Sequence, residues 1–258
     1  MPKQCNSLRR ARATTTRFHN LTCKLEQAKE PVEIARLQME LGQLGGRDEY
    51  QQASKLTTSR HRTARYVFAT LTRLGLRPHR GQRPLTLLEI GAVNLDLVST
   101  PWLATRAIDV RSQHPRIEQV DFFALPQRRD FDVVVCAMVL NCVSNAEKRG
   151  DMLRGMREHL KPGGLAFLCL PRRCLEKSPF TTHRSFRALL RCVGLETIHV
   201  KRSPSIIFIC ARAAAVDVAL RPVNVSSLSR VIAHGRGYTN NFAVLISETR
   251  RASDAAVT

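Results

Sequence analysis

The sequence predicts an α/β domain built on a mostly parallel sheet, preceded by a basic helical region. Three observations predict it. From residue 85 onward, short apolar runs alternate with helical patterns, the signature of strand–helix–strand units. Phe131-Asp132-Val133-Val134-Val135-Cys136-Ala137 is apolar enough for a central strand buried on both faces. The run Leu87-Leu88-Glu89-Ile90-Gly91-Ala92 ends in an acid and a glycine, and Ala107-Ile108-Asp109 closes a second apolar run eighteen residues after Gly91. A glycine turn on one strand and a carboxylate on its neighbour suit a nucleotide-type pocket, where backbone approaches the ligand and an acid receives ribose hydroxyls.

The elements follow in order. Residues 7–29 carry Arg9, Arg10, Arg12, Arg17 and Lys24 and read as a helix. Val32, Ile34, Leu37, Leu41 and Leu44 fall near a 3.6-residue period, with Pro31 in the first turn and Gly45-Gly46 as the stop. A third helix runs from Arg60 to Leu74, with Tyr66, Val67, Leu71 and Leu74 on one face. Residues 77–84, rich in Arg, Pro and Gly, read as a linker. Strands are expected at 85–90, 104–109, 117–120, 131–137 and 165–170, helices at 146–160 and 183–193, and further strand-like runs at 195–201, 205–211 and 241–247. Lys161-Pro162-Gly163-Gly164 stops the 146–160 helix. The domain reading is a basic helical region at 1–80, an α/β domain at 81–250 and a polar tail at 251–258.

The 258 residues suffice for a large core without a metal or disulfide staple. The charge is the unusual quantity. Lys and Arg number 41 against 21 Asp and Glu, a net +20, a balance that attracts polyanions through counterion release. Arg9, Arg10, Arg12 and Arg17, with Arg60, Arg62 and Arg65, are candidates for gripping phosphates, the alternative being a solvated helix face. The eight cysteines form no CxxC pair and no zinc spacing, which leads us to expect a reducing compartment, no disulfides and no metal. No segment holds enough consecutive apolar residues to span a bilayer, so no membrane partner is expected.

Several further features arrive in a fixed order. Val120-Asp121-Phe122 ends the third strand, where Asp121 can accept from an adenine amino group and Phe122 can cover the ring; one of Phe122 and Phe123 should pack in the core. Asp109 is otherwise a helix N-cap, and Asp121 a turn cap. Glu89 either orients a loop or meets a ligand's amino group. Trp102 reads as a packing anchor. Leu140-Asn141-Cys142-Val143 follows the fourth strand and Leu160-Lys161-Pro162-Gly163-Gly164 the helix after it. This order resembles class I S-adenosylmethionine-dependent methyltransferases. The resemblance implies a Rossmann-like, seven-stranded, mostly parallel sheet with an N-terminal helical extension, and S-adenosyl-L-methionine as cofactor.

A closer likeness lies in Gly45-Gly46, Tyr50-Gln51-Gln52-Ala53-Ser54, Leu88-Glu89-Ile90-Gly91, Ile108-Asp109, Gln119-Val120-Asp121-Phe122, Met138-Val139-Leu140-Asn141, Arg149-Gly150-Asp151-Met152-Leu153 and Asn240-Asn241-Phe242-Ala243. These look like the fungal 25S ribosomal RNA adenine-N1 methyltransferase family, over roughly residues 40–250. Animal relatives act as S-adenosylmethionine sensors upstream of the TOR kinase. The family's glycine- and serine-rich stretch reads Lys55-Leu56-Thr57-Thr58-Ser59-Arg60 here, and no cofactor role carries over to it. By this likeness Gly91 and Asp109 are cofactor positions; the reading of the strand ends adds Glu89, Asp121 and Phe122 as cofactor-binding candidates. Asn141, at the tip of the fourth strand, is the candidate that grips the target base. The implied partner is ribosomal RNA in a pre-60S particle, and the implied site the nucleus and nucleolus, with the protein acting as a monomer. The alternatives are a non-catalytic sensor that binds a protein partner, and an RNA-binding assembly factor with a decayed pocket.

Overall fold

The structure, a computed structural model, describes residues 7–58, 63–112, 114–215 and 242–246. Its centre is a seven-stranded sheet of β1 (Leu85–Ile90), β2 (Leu103–Asp109), β3 (Glu118–Gln119), β4 (Phe131–Ala137), β5 (Leu160–Pro171), β6 (Leu195–Arg202) and β7 (Ile206–Ala213). The order is β3-β2-β1-β4-β5-β7-β6, and β7 alone runs antiparallel. The chain order reverses between β1 and β4, which places a crevice at the carboxyl ends of these strands.

Four helices precede the sheet: α1 (Leu8–Gln27), α2 (Pro31–Gln43), α3 (Gly46–Thr58) and α4 (Thr63–Arg73). Helices α5 (Ala146–His159), α6 (Arg173–Glu176) and α7 (His183–Cys192) follow among the later strands. Both sheet faces are covered. On one, Leu88, Val134, Cys136, Ala166, Leu168, Ile207 and Ile209 pack under α5 and α7. On the other, Leu87, Val133, Val135, Phe167 and Phe208 pack under α4, through Tyr66, Val67 and Leu71. Trp102 is the anchor expected, edge-on to Phe68 and capped by the Arg77 guanidinium.

Three expectations need correction. Helix α3 has no counterpart in the sequence reading, because its apolar face is too thin for a periodic signal. It forms against α1, where the fully buried Ala11 and Ala53 let the two backbones approach. Strand β5 starts at Leu160 rather than 165. Lys161-Pro162-Gly163-Gly164 belongs to an irregular strand start that pairs Leu160 with Phe131. There Lys161 Nζ meets Asp132 Oδ1 at 2.7 Å, and Asp132 also accepts from Thr86, so one knot joins β1, β4 and β5. Finally, the described part of the 241–247 run, residues 242–246, is buried but adds no strand to the sheet. It docks on α5 as an extended strap, with Leu245 N–H donating to the Ala146 carbonyl.

The six cysteines from Cys136 onward form no disulfide among the described residues. Among the described residues, no helix is long and apolar enough to cross a membrane, and no group of three metal-ligating side chains converges.

Candidate functional site: a roofed cavity at the strand ends

A cavity of about 590 Å³ opens at the carboxyl ends of β1, β2 and β4. Its floor is made by the turns that leave these strands. Gly91 follows β1 with φ +70°, a conformation L side chains rarely adopt. Its N–H and that of Ala92 both donate to the Ile108 carbonyl, which pins the turn to β2. A Cβ at Gly91 would stand 2.3 Å from Val139 Cγ2, so the floor tolerates no side chain there.

Glu89 also lines the cavity. Its Oε2 is buried with no hydrogen-bond partner. Burial, reinforced by the nearby Asp96 carboxylate, pushes its carboxyl up to about 8, so the side chain is largely protonated at neutral pH and gains from any cation brought to it. Asp109, at the end of β2, lines the cavity and accepts from the Arg111 N–H at 2.8 Å. The turn-cap alternative for Asp121 is realised: it accepts from the Phe123 N–H at 3.0 Å, while still lining the cavity.

Of the two phenylalanines, Phe122 is the one in the core. Its ring lies against Gly155 of α5, where an added Cβ would come within 3.0 Å. Phe123 is 45% exposed, and both line the cavity. Phe123 presents the more exposed ring at the cavity edge, while the buried Phe122 ring lines the cavity as well.

Asn141 stands in the loop after β4, at the tip of that strand, but outside the cavity lining. The cavity wall after β4 consists of Met138, Val139, Cys142, Val143 and Ser144, without Asn141. Its Nδ2 donates to Cys142 Sγ at 3.3 Å, and its Oδ1 is buried without a partner. The loop begins with Met138 in left-handed backbone, φ +62°, a conformation of measurable cost in a non-glycine residue. Cys142 Sγ donates back to the Met138 carbonyl at 3.0 Å, holding the turn.

The roof was missing from the sequence reading. Ala11, Thr14, Phe18 and Leu21 form the buried stripe of α1, and Phe18 stacks on Tyr50 of α3 at 4.4 Å. His19 meets the Tyr50 ring edge-on. His19 Nε2 lies 3.4 Å and the Tyr50 hydroxyl 3.7 Å from Cys142 Sγ, so helices α1 and α3 are seamed to the loop after β4. Burial, then the Arg47 charge, pushes His19 down to about 4, leaving it neutral at pH 7. Phe18, His19, Arg47 and Tyr50 thus close the cavity from above. The available signals were the Tyr50-Gln51-Gln52-Ala53-Ser54 motif and the 11, 14, 18, 21 spacing in α1.

The loop after β4 is braced from behind by Arg149 of α5. Its guanidinium is buried and donates to the carbonyls of Val143, Ser144 and Ala243 at 2.6, 3.2 and 2.7 Å, while lying over the Phe242 ring. Beside it, Gly150 lets the Leu245 carbonyl reach the helix: an added Cβ would lie 1.7 Å from that oxygen. The Arg149-Gly150 and Phe242-Ala243 motifs, far apart in sequence, are one joint.

Comparison with known proteins agrees with this geometry. Over 245 residues the chain is 26% identical to the 25S rRNA (adenine(2142)-N(1))-methyltransferase of Saccharomyces cerevisiae, covering 89% of this chain and 71% of that protein. Among solved structures it is similar to the 1,6-didemethyltoxoflavin-N1-methyltransferase of Burkholderia thailandensis, solved with 1,6-didemethyltoxoflavin and S-adenosylhomocysteine. That match has 16% identity and a TM-score of 0.53, over 72% of this chain and 92% of that one; at this identity it speaks for the class I methyltransferase fold alone. The family model described as 25S rRNA (adenine(2142)-N(1))-methyltransferase, Bmt2, matches residues 35–244. With most of α2, the whole sheet and the first residues of the 242–246 strap inside that match, and the glycine floor and acid-tipped second strand in place, the chain belongs to the Bmt2 family of S-adenosylmethionine-dependent rRNA adenine-N1 methyltransferases.

Proposed function

We propose that this protein methylates N1 of an adenine in large-subunit ribosomal RNA, acting as a monomer on a pre-60S particle in the nucleolus, without a metal. The observation that carries the reading is the convergence of Gly91, Asp109 and the unpartnered Glu89 Oε2 on one roofed cavity. These residues fit S-adenosylmethionine. Gly91 leaves a cradle that a Cβ would fill, Asp109 offers carboxylate oxygen to ribose hydroxyls, and Glu89 offers a buried carboxylate to the methionine ammonium. Asp121 and the ring pair Phe122–Phe123 take the adenine side. When bound, the cofactor supplies an electrophilic methyl group on a positively charged sulfur.

The chain's own task is then positional. Adenine N1 is a neutral nitrogen with a free lone pair, so no strong base must act before attack. What is required is alignment at near-attack distance with water kept out. The roof of Phe18, His19 and Tyr50 supplies the exclusion, and the neutral His19 adds no positive charge that would oppose the cation formed on the ring. N1 lies on the pairing edge, so the base must be unpaired or flipped out. Arg9, Arg10, Arg12 and Arg17 are exposed on α1 and Arg65 on α4, and they grip the phosphates of the incoming strand; Arg60 and Arg62 lie outside the described residues.

The test is transfer of tritium from labelled S-adenosylmethionine to large-subunit RNA from cells lacking the protein. Label at adenine N1 supports the reading. Cofactor binding without transfer to RNA would favour a sensor. Gly91→Arg is expected to abolish both cofactor binding and transfer in a chain that still melts cooperatively; unchanged affinity would overturn the assignment of this cavity.

A further inference from the structure

A second groove, of about 470 Å³, lies along α7 at the far edge of the sheet. Arg184, Arg187 and Arg191 recur at helical spacing on α7 and face Arg202 at the carboxyl end of β6. All four are exposed. Arg184, Arg187 and Arg202 make no ion pair among the described residues, and Arg191 has only a loose, exposed contact of 3.8 Å with Glu196. Glu176, near the rim, is taken by Arg172 at 2.8 Å, with His183 at 3.6 Å. The groove lining itself contains no carboxylate, and its floor is apolar, with Val200 and Ile209. Four guanidinium groups around one concave surface repel each other, a cost that a polyanion relieves. Arginine also offers a flat face on which a base can lie.

The fold sets this groove in line with the cavity. Strand β6 runs parallel to β1 and β4, so Arg202 and the start of α7 lie at the same end of the sheet as Gly91 and Cys142. Three strand spacings separate β4 from β6, about 14 Å in total, the length of a few nucleotides of extended backbone.

Resting on the reading of this protein as an RNA methyltransferase, we propose that the α7–β6 groove is a second RNA-binding surface. It holds the backbone of single-stranded RNA flanking the target adenine. Phosphates sit on Arg184, Arg187 and Arg202 while a base lies on the apolar floor, so the strand is held on both sides of the cavity rather than beneath the N-terminal helices alone.

The test compares the full chain with R184A/R187A/R202A and with R80A/R83A/R128A, which removes equal charge from exposed sites outside the groove. Binding of a fluorescein-labelled single-stranded RNA is measured by anisotropy across a salt series, and KM and kcat with large-subunit rRNA as acceptor. The groove variant is expected to bind RNA at least about tenfold more weakly, with the log–log salt slope reduced by about two. Its KM for rRNA rises while kcat and affinity for S-adenosylhomocysteine hold. The control variant changes far less. Equal RNA binding and salt slopes in all three proteins would overturn the proposal. So would loss of polyglutamate binding alone, which would mark an acidic protein as the occupant. If the wild type binds RNA through the groove yet transfers no label, the methyltransferase reading fails while the groove stands.

Discussion

Glu89 shows how one residue couples site and stability. Its carboxyl is held up at about 8, against 4.5 ordinarily, by burial and Asp96. The folded chain therefore keeps a proton that the unfolded chain gives up near pH 4.5. Stability contributed by this proton is complete below that pH and is lost as pH rises through about 8. Glu89→Gln removes the loss. At pH 9 the variant is expected to be more stable by roughly 4–5 kcal/mol, with little difference at pH 4, measured by urea unfolding without added cofactor. The same variant is expected to bind S-adenosylmethionine at least about tenfold more weakly, since it cannot ionise toward an ammonium. Equal unfolding curves at pH 9 would show that the carboxyl is not held as described. At Asp109 the exchange differs: Asp109→Ala costs about 2 kcal/mol of cofactor affinity, the range for hydrogen bonds to a charged group, measured by calorimetry with S-adenosylhomocysteine.

At the scale of elements, the strap at 242–246 and helix α5 act as one unit. Arg149 ties the carbonyls of Val143 and Ser144, both on the cavity wall, to Ala243 of the strap. Ser178 adds a hydroxyl donor to the Phe242 carbonyl at 2.6 Å. Gly150→Ala places a methyl where the Leu245 carbonyl stands, so helix and strap must separate. We expect a loss of about 2–4 kcal/mol in stability. Weaker cofactor binding should accompany it, because the released loop carries Val139, the contact of Gly91. Arg149→Lys keeps the charge but cannot span three carbonyls, and a loss of about 2–3 kcal/mol is expected by thermal melting. Full stability in both variants would mean that the strap bears no part in holding the wall.

At the scale of the molecule, the net charge of +20 is expected to act on the proposed RNA substrate more than on the cofactor. Raising salt from about 50 to about 200 mM is expected to raise KM for rRNA at least tenfold through counterion uptake. KM for S-adenosylmethionine should change less than twofold, since its site is a roofed, half-buried cavity where screening is weaker than at the surface. A salt-independent KM for RNA would remove the argument from charge altogether.

The centre of the sheet was legible from the chain alone because β1, β2, β4, β5 and β7 each carry their own hydrophobic run, and Gly91 and Asp109 sit at the ends of two such runs. Local pattern is enough where burial is on both faces. Helix α3, the roof and the strap were not legible in this way. Helix α3 is held by contacts distant in sequence, with α1 through Ala11, Ala53 and the Phe18–Tyr50 stack and with the loop after β4 through Cys142, and the 242–246 segment looks like a strand until Arg149 and Gly150 capture it. Phe122 and Phe123 are chemically the same residue, and Asn141 is as polar as any base-gripping group. Which ring is buried depends on the packing of Phe122 against Gly155. Those contacts join residues distant in sequence, so periodicity and composition carry no trace of them.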